Sequence, residues 1–450
     1  MPLDASPCRS NLRVPTTSGR LVRAILALGV VLGALAWSGR ADAFHWMIRH
    51  DYTACNTRHA DPSGAGILTA YGRGLEETVV RTRYGKKSDD EDPGTIGNFM
   101  FGAFKTPEEL LLQFDLRGMH LIGPVPVAAG QPIPYHYYFM QADLASQLKV
   151  GRFRVNGSLG WAHEGGAGAA LTSGWTPKTP TDFCSAPPCD RLISRQYWIG
   201  VDIGSDEQFL LRAGRINLPF GVRQIEHTMW VRKETRTNIN DNQQHGVALS
   251  WNQTGIRAEI MAILGNFAIH GDPGWDMPHE RGYSGYFEWA PKETFTIGAT
   301  SLATFAQQDL ALNTALWRQA HGLFARWSPA KPVVLTAESD FLFYSQPATA
   351  TVGAQNRGGN ASMLMVDVEP TQGVHVMLSS EIRSRYWGAQ GGDPSCAGLK
   401  AGSFCGTDFG LWGGAWWFFA PHLDVRADVN WAFAGGRDST SLLFQLHGYL

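Results

Sequence analysis

A cysteine and a histidine near the start of the chain have the spacing of a haem-attachment sequence. The residues from Cys55 to His59 read Cys-Asn-Thr-Arg-His. In a Cys-x-x-Cys-His sequence, two thiols form thioethers with haem c and the histidine binds the iron. Arg58 occupies the position of the second cysteine, so the signature is broken. Cys55 and His59 are therefore the candidate cofactor residues, for a haem held by a single thioether. The alternative is a segment that binds no haem.

Four other cysteines form two local pairs. Cys184 and Cys189 flank a proline-rich stretch, and Cys396 and Cys405 lie in a glycine-rich one. Neighbouring cysteines in an exported chain predict disulfides. A metal site is the alternative, but no histidine cluster accompanies either pair. Cys55 is left without a local partner.

The N-terminal residues predict export from the cytoplasm. A basic stretch ending at Arg23 precedes an apolar run over 24–37, and small residues lead up to Ala43. This order of basic, apolar and small residues is that of a secretory signal peptide, so we expect residues 1–43 to be removed. A membrane anchor is the alternative, but the run is short for a helix that spans a bilayer, which needs about 20 residues.

The elements that would position any functional residue are predicted to be strands. Between Leu423 and Phe433, apolar residues alternate with polar or charged ones. Successive side chains of a strand point to opposite faces, so one face is apolar and the other is charged. The same alternation recurs from about residue 110 to the end. It is typical of transmembrane β-strands, with apolar side chains facing lipid and polar ones facing a lumen.

The lengths of the connections point to a barrel. Short connections such as Gly151 alternate with long ones such as 164–190 and 388–407. Outer-membrane barrels have short periplasmic turns and long outer loops, whereas the turns of a soluble β-sandwich need not alternate in length. We therefore predict an all-β fold over 109–450, a transmembrane antiparallel up-and-down barrel of about 16 strands. A short periplasmic segment with a short helix is expected over 44–108, and both termini are expected in the periplasm.

Charge excludes one class of partner. Lys and Arg number 38 and Asp and Glu number 40, for a formal net charge of −2. The chain therefore lacks the basic excess that marks nucleic-acid binding. We expect outer-membrane lipid as the surrounding partner, and a homo-oligomer is an open possibility for a pore of this size.

Inward-facing charges are the candidate pore lining. By strand parity these residues are Glu338, Asp340, Arg383, Arg385, Asp424, Arg426 and Asp428. The long connection 217–243 adds basic residues at Arg223, His227, Arg232 and Arg236. If this connection folds into the pore, its cations would constrict it and favour anions. The alternative is an exposed outer loop.

The segment after the signal peptide resembles a known family of outer-membrane barrels. Cys55 to Gly72 follows the order Cys-x-x-Cys-His-x-x-Pro-x-Gly-x-Gly…Tyr-Gly, apart from Arg58. This block, and parts of 217–232, are similar to barrel components of porin–cytochrome electron conduits from anaerobic and metal-respiring bacteria. The resemblance implies a periplasmic multihaem c-type cytochrome as partner and electron transfer across the outer membrane.

Three functions remain open from the sequence. The first is an outer-membrane channel or scaffold, which in its specific form sheathes or docks a cytochrome. The second is a general or anion-selective porin with no redox partner. The third is a barrel lipase or protease, for which His375, His447, Ser379 and Asp428 face the lumen by parity. None of these four forms a catalytic sequence signature, so we predict no catalytic residue and no enzyme.

Overall fold

The computed structural model describes most of the predicted barrel and part of the segment before it. The described residues are 45–50, 58–62, 64, 66–84, 99–104, 106–125, 131–163, 190–204, 207–223, 229–239, 242–265, 280–308, 314–348, 354–387, 405–434 and 437–449. Residues 1–43, Cys55, Cys184, Cys189, Cys396 and His227 lie outside them, as do the side chains of Arg385 and Cys405. The predicted signal peptide and both disulfides therefore stay predictions.

The described strands form one closed antiparallel sheet. They are β1 (Leu110–Val125), β2 (Tyr135–Val150), β3 (Phe153–His163), β4 (Asp190–Ile193), β5 (Tyr197–Ile203), β6 (Phe209–Ile216), β7 (Gln244–Gln253), β8 (Ile256–Gly265), β9 (Arg281–Lys292), β10 (Phe295–Ala306), β11 (Leu316–Ala330), β12 (Val333–Gln346), β13 (Gln355–Thr371), β14 (Val374–Trp387), β15 (Cys405–Ala420), β16 (Leu423–Ala434) and β17 (Arg437–Tyr449). Apart from β4 and β5, each pairs with its neighbours in sequence, and β1 also pairs with β17. Both β4 and β5 pair with β3, as two parts of one interrupted strand. The fold is thus a 16-stranded up-and-down barrel, which confirms the predicted fold class.

Side-chain alternation explains why these segments pair as a barrel. Along β11 every second residue is buried, and Leu323 on the outer face is 63% exposed. Arg326, on the inner face of the same strand, is buried and binds Glu288 of β9. The transfer of apolar side chains out of water is favourable, so an apolar outer face is suited to lipid rather than to solvent. Among the described residues, no helix is both long and apolar enough to cross a membrane.

The two ends of the barrel differ in their connections. At one end, which we call the turn end, two-residue turns such as 254–255 and 331–332 join the strands. At the other, the loop end, most connections are longer, and the three largest run from 164 to 189, from 217 to 243 and from 388 to 404. The alternation predicted from the sequence is therefore present. Which end faces the periplasm stays a prediction.

The barrel encloses two stretches of its own chain. The N-terminal insert comprises the described residues between 45 and 84, and the loop insert comprises 217–223 and 229–239. Trp46, Met47 and Ile48 are completely buried against the inner face of the barrel, as is Phe220 of the loop insert. The sequence predicted a periplasmic segment over 44–108, and its location in the periplasm stays a prediction. Its described residues between 45 and 84 pack against the inner side of the strands.

Short helices organise each insert. In the N-terminal insert, helix α1 (Ala70–Leu75) continues as a π-helical turn over Glu76–Val80. Thr69 caps α1 by accepting a hydrogen bond from the backbone N–H of Gly72, at 3.0 Å. A Cβ atom at Gly72 would lie 2.3 Å from the carbonyl oxygen of Arg58, so only glycine allows this approach. In the loop insert, α2 (Trp230–Thr235) ends at Arg236, whose φ is 51°.

Candidate functional site

An aromatic cluster holds the start of the N-terminal insert at the turn end. The ring centroid of Trp46 lies 4.3 Å from that of His375, 6.5 Å from that of Trp416 and 5.9 Å from that of Phe418. Trp416 belongs to the apolar part of the inner face of the barrel. This side chain is buried inside the barrel and donates its indole N–H to Asp424 at 2.7 Å. The adjacent Trp417 faces outward and is 43% exposed.

Ion pairs reinforce the aromatic cluster. Arg49 pairs with Asp367 and, at 3.2 Å, with Glu369, both on the inner face of β13. Burial lowers the pKa of Arg49, and the charge of Glu369 opposes this effect. Asp367 also contacts the Nδ1 atom of His375 at 3.2 Å. A buried charge that lost its partner would cost several kcal/mol, roughly 3–5, so these pairs fix the insert in one position.

Arg58 has a structural partner where the haem sequence would require a cysteine. Its guanidinium is fully buried and binds Glu76 of the π-helical turn. The hydroxyl of Tyr449, in β17, donates to the other oxygen of Glu76 at 2.5 Å. Burial raises the pKa of Glu76, and the charge of Arg58 opposes that shift. Arg58 therefore ties two parts of the insert together and, through Glu76, joins them to the last strand.

His59 does not have the surroundings of a haem ligand. Its side chain is buried, and its Nδ1 atom lies 3.1 Å from the carbonyl oxygen of Gly66. Burial and the neighbouring charge of Arg58 lower the pKa of His59 to about 4, so the imidazole is neutral at pH 7. The adjoining cavity measures about 170 Å³. Pockets that hold drug-sized ligands measure roughly 300–1,000 Å³, and haem is larger than most such ligands. The described residues around His59 therefore leave too little space for the haem macrocycle.

Asp61 joins the N-terminal insert to the middle of the barrel wall. It accepts hydrogen bonds from Arg212 at 2.7 Å and from the side chain of Gln196 at 3.0 Å. Arg212 is fully buried and binds Glu259 as well. Gln196 lies where β4 and β5 are interrupted, next to Arg195, which binds Asp143 at 2.7 Å. The break in this strand therefore turns polar side chains inward to meet the insert.

The loop insert enters from the loop end and is held by Glu338. One carboxylate oxygen binds Arg232, and the other accepts the backbone N–H of Val222 at 3.0 Å. Gly221 has a φ of +60°, and a Cβ atom there would lie 2.1 Å from the Glu338 carboxylate and 2.2 Å from Arg232. The predicted connection 217–243 thus lies inside the barrel over its described residues. The role of its cations as a constriction stays a proposal.

A second acidic residue orients helix α2. Glu381 accepts the backbone N–H of Trp230 at 2.6 Å and the indole N–H of Trp412 at 2.8 Å. The guanidinium of Arg383 lies 4.3 Å from the centroid of the Trp230 ring, a cation–π distance. Arg383 also binds Asp408 at 2.8 Å and Glu234 at 2.7 Å. The arginine therefore links β14, β15 and the loop insert.

The other predicted lining residues face inward in pairs. Asp424 contacts the Nδ1 atom of His447 at 3.0 Å, and Arg426 binds Asp428 at 2.8 Å. Asp340 is completely buried, and its carboxylate lies over Gly322 on the neighbouring strand. Of the predicted basic residues in 217–243, Arg223 donates to the carbonyl oxygen of Leu218 at 2.8 Å. The described side chains among these residues lie on the inner face, much of which is covered by the inserts, and their role as pore lining stays a prediction.

The cavities formed by the described residues include two that lie beside the inserts. The inner cavity, of about 170 Å³, lies between the N-terminal insert and a polar part of the wall, with His59 and Glu76 on one side and Asp115, Asp143 and His447 on the other. The vestibule, of about 290 Å³, lies between α2 and strands β12 to β14 near the loop end, and Tyr344 is among its lining residues. Within the described ranges, no three His, Cys, Asp or Glu side chains group as metal ligands.

Sequence reasoning missed the residues that hold the N-terminal insert. Trp46, Arg49, Asp61 and Glu76 make the contacts that join it to the wall, and none was singled out. The missed signal lay in the strands, where the inner face of β15 carries Trp416, together with Phe418, in place of polar residues. Apolar side chains on both faces of one strand indicate that something covers the inner face.

Comparison with known proteins supports the same architecture. No protein-family model and no curated protein matches the chain. Among solved structures, the chain is similar to outer-membrane-expressed OmpT of Vibrio cholerae, with 8% identity, a TM-score of 0.54 and coverage of 77% of this chain and 99% of that one. It is also similar to the outer membrane channel DcaP of Acinetobacter baumannii, with 11% identity, a TM-score of 0.50 and coverage of 77% and 99%. The chain has the fold of porin-type outer-membrane barrels. A third match is the trimer form of in-vitro folded OmpT, with 8% identity, a TM-score of 0.50 and coverage of 76% and 99%.

The porin-type barrel does not bring the candidate nucleophile to a base. His375 and Ser379 both face inward on β14, but four residues of a strand separate their Cα atoms by about 13 Å. Proton transfer needs hydrogen-bond distance, roughly 3 Å. His447 instead contacts two carboxylates, those of Asp115 and Asp424. These contacts hold the imidazole in the wall and leave the prediction of a non-enzyme in place as a proposal.

Proposed function

We propose that the chain is an outer-membrane channel for small solutes, of the porin type but with a path narrowed by two inserts. The observation that carries this proposal is the division of the inner wall into an apolar part and a polar part. Apolar side chains of the wall are covered by the inserts, as at Trp416 and Phe324. The inner face of β1, β2 and β17, here called the polar wall, carries charged residues such as Asp115 and Asp143 beside a cavity. A solute path along the polar wall fits both features.

The charges of the polar wall support this path. Asp143 binds Arg195, and His447 lies between Asp115 and Asp424 at 3.2 Å and 3.0 Å. Charges of both signs at the edge of a cavity provide hydrogen-bonding groups that substitute for the water around a polar solute. Apolar side chains provide none, so the covered part of the wall does not suit passage. The inserts thus confine polar solutes to one side of the barrel.

Single-channel recording in planar bilayers tests the proposal. We expect discrete conductance steps from the purified barrel, smaller than those of an open porin with the same number of strands. The protein is first checked for the folded, heat-modifiable form and for recovery in outer-membrane fractions. A folded barrel that gives no step above the lipid leak would contradict channel function. Steps as large as those of an open porin would contradict the inserts as a constriction.

The electron-conduit version has weaker support. A barrel that sheathes a cytochrome needs a lumen free for it, whereas residues of this chain occupy the inside at Trp46 and at Phe220. Docking of a cytochrome at the rim rests on the sequence resemblance alone. Co-purification with a haem-staining protein would favour docking, and ion conductance by the cytochrome-free barrel would favour the channel. A homo-oligomer likewise stays a prediction, testable from the native mass in detergent.

A further inference from the structure

We propose that the vestibule is a binding site for small oxyanions, either carboxylates or phosphate. The inference rests on the proposed channel function and names the class of solute that its loop end would take. Among the described residues, the lining of the vestibule includes Lys233 and Arg236 from the loop insert and Arg357 and Arg383 from the wall, together with the acidic Glu234. The four cations approach from two different parts of the chain and surround one space.

The local charge balance favours an anion. Glu234 and Asp408 both bind Arg383, so this arginine is matched by carboxylates. Glu280 binds Arg318 at 2.6 Å and lies 3.5 Å from Arg236. Among the described residues that line the vestibule, basic side chains outnumber acidic ones by four to one, which is an excess of cations. An ordinary solvated surface would gain little from such an excess, because water screens exposed charges.

Contacts with neighbouring groups hold the cations of the vestibule in fixed positions. Arg383 is held flat against Trp230, with the guanidinium 4.3 Å from the ring centroid. The hydroxyl of Tyr344 donates to the backbone carbonyl of Glu234 at 2.8 Å, which fixes the end of α2 beside the wall. Arg236 follows in a left-handed conformation that ends the helix. The positions of these groups are therefore set before any ligand arrives, which lowers the entropy cost of binding.

Backbone geometry keeps the space open. Gly358 and Gly359 form part of the vestibule wall, and a Cβ atom at Gly359 would lie 2.8 Å from the carbonyl oxygen of Ser384. Glycine here lets strands β13 and β14 approach each other without side chains that would fill the cavity. Leu342 adds an apolar surface. Charges beside an apolar, low-dielectric wall attract an anion more strongly than the same charges in open water.

The size and the donor geometry favour an oxyanion over a bulky ligand. A cavity of about 290 Å³ lies just below the range of roughly 300–1,000 Å³ typical of pockets for drug-sized ligands. Guanidinium groups present parallel N–H donors that match the oxygens of a carboxylate or a phosphate. Arg357 and Arg383 would supply such donors, and Lys233, which is exposed, would supply a mobile ammonium group. A small oxyanion in the vestibule would therefore meet donors from both the loop insert and the wall.

Direct binding to the full chain in detergent tests the site without requiring conduction. Calorimetric titrations with inorganic phosphate and with succinate, run separately, are made on the folded barrel at low and at high salt. We expect saturable binding of at least one of them, weakened by salt. Arg357→Gln should weaken it about tenfold, the usual effect of losing one charge-assisted hydrogen bond. The matched control Arg152→Gln removes an exposed arginine from the turn between β2 and β3, at the turn end, and should leave binding unchanged.

The outcomes separate the site from the channel. Binding that is lost in Arg357→Gln and kept in Arg152→Gln supports the vestibule site. Absence of saturable binding by the folded barrel, or an equal loss in both variants, overturns it. Phosphate binding without succinate binding, or the reverse, identifies which oxyanion the site takes. If the anion binds but bilayers show no conductance, the site stands and the channel proposal fails.

Discussion

Replacement of Trp46 by alanine should release the N-terminal insert from the turn end of the barrel. The indole is completely buried and packs against His375 and Phe418, with ring centroids 4.3 Å and 5.9 Å away. Truncation of a buried tryptophan costs about 3–5 kcal/mol, because transfer free energy is lost and a cavity remains. If the whole cost falls on docking, the equilibrium between docked and released insert shifts by roughly 150-fold to 4,000-fold.

This shift of the docking equilibrium leads to two observable changes. Protease added to the folded barrel should cleave Trp46→Ala within 45–84 faster than the unchanged protein, because cleavage follows the population of the released state. Single-channel conductance should rise for the same reason, since the insert fills the turn end of the lumen. The barrel itself should stay folded, because its strand pairing is independent of this side chain.

The control for Trp46→Ala is an aromatic residue outside the cluster. Phe104 is 58% exposed, so Phe104→Ala removes an aromatic ring with little loss of packing. We expect its protease sensitivity and conductance to match those of the unchanged protein. The reasoning fails if Trp46→Ala is cleaved no faster and conducts no more than Phe104→Ala while both remain folded. In that case the aromatic cluster would not be what holds the insert.

Further predictions concern the loop insert and pH. Gly221→Ala should loosen the loop insert by about 1–3 kcal/mol, measured as conductance noise and protease sensitivity, because the new methyl group meets Glu338 and Arg232. Gly151→Ala is its control, since Gly151 also has a positive φ of +57° but lies in open space. Glu338→Gln should release the same insert by about 3–5 kcal/mol, because Arg232 would stay buried without a charged partner. The pKa of His59 is about 4 while the N-terminal insert is docked, and we expect it to return to about 6.5 when the insert is released. Docking is therefore strongest above pH 6.5 and weakens by up to about 3 kcal/mol as the pH falls to 4. Hydrogen exchange of 58–84 should show this loss, and His59→Gln should flatten its pH dependence. An unchanged profile in that variant would assign the effect to another group.

The strands were predictable because each one carries its own evidence. The segment of alternating residues 423–433 corresponds to β16 (Leu423–Ala434), and the pattern needs no information from elsewhere in the chain. The interruption between β4 and β5 was not predictable in the same way. Arg195 and Gln196 leave the ladder to bind Asp143 and Asp61, and these partners lie far away in sequence. Tertiary contacts overrode the local strand pattern there.

The inserts were harder to predict because their contacts are remote and aperiodic. The residues 46–48 are apolar without alternation or helical spacing, and their partners in β14 and β15 lie more than 300 residues later. The broken haem sequence drew attention to a segment whose observed contacts are structural. Arg58 and His59 are buried there by packing and ion pairing. The role of Cys55 and His59 as haem residues was never more than a prediction, and Cys55 lies outside the described residues.

The inner face of a barrel strand carries the information that was needed. In a water-filled lumen, inward side chains are polar, because apolar ones there would stay exposed to water. Met377, Trp416 and Phe418 break that rule on adjacent strands β14 and β15, and Val334 breaks it on β12. Such residues are stable only if another part of the chain covers them, and the apolar residues 46–48 do so. A patch of inward apolar residues on neighbouring strands therefore predicts an internal insert and its docking position. A polar inner face, as on β1 and β2, is where we propose that the solute path lies.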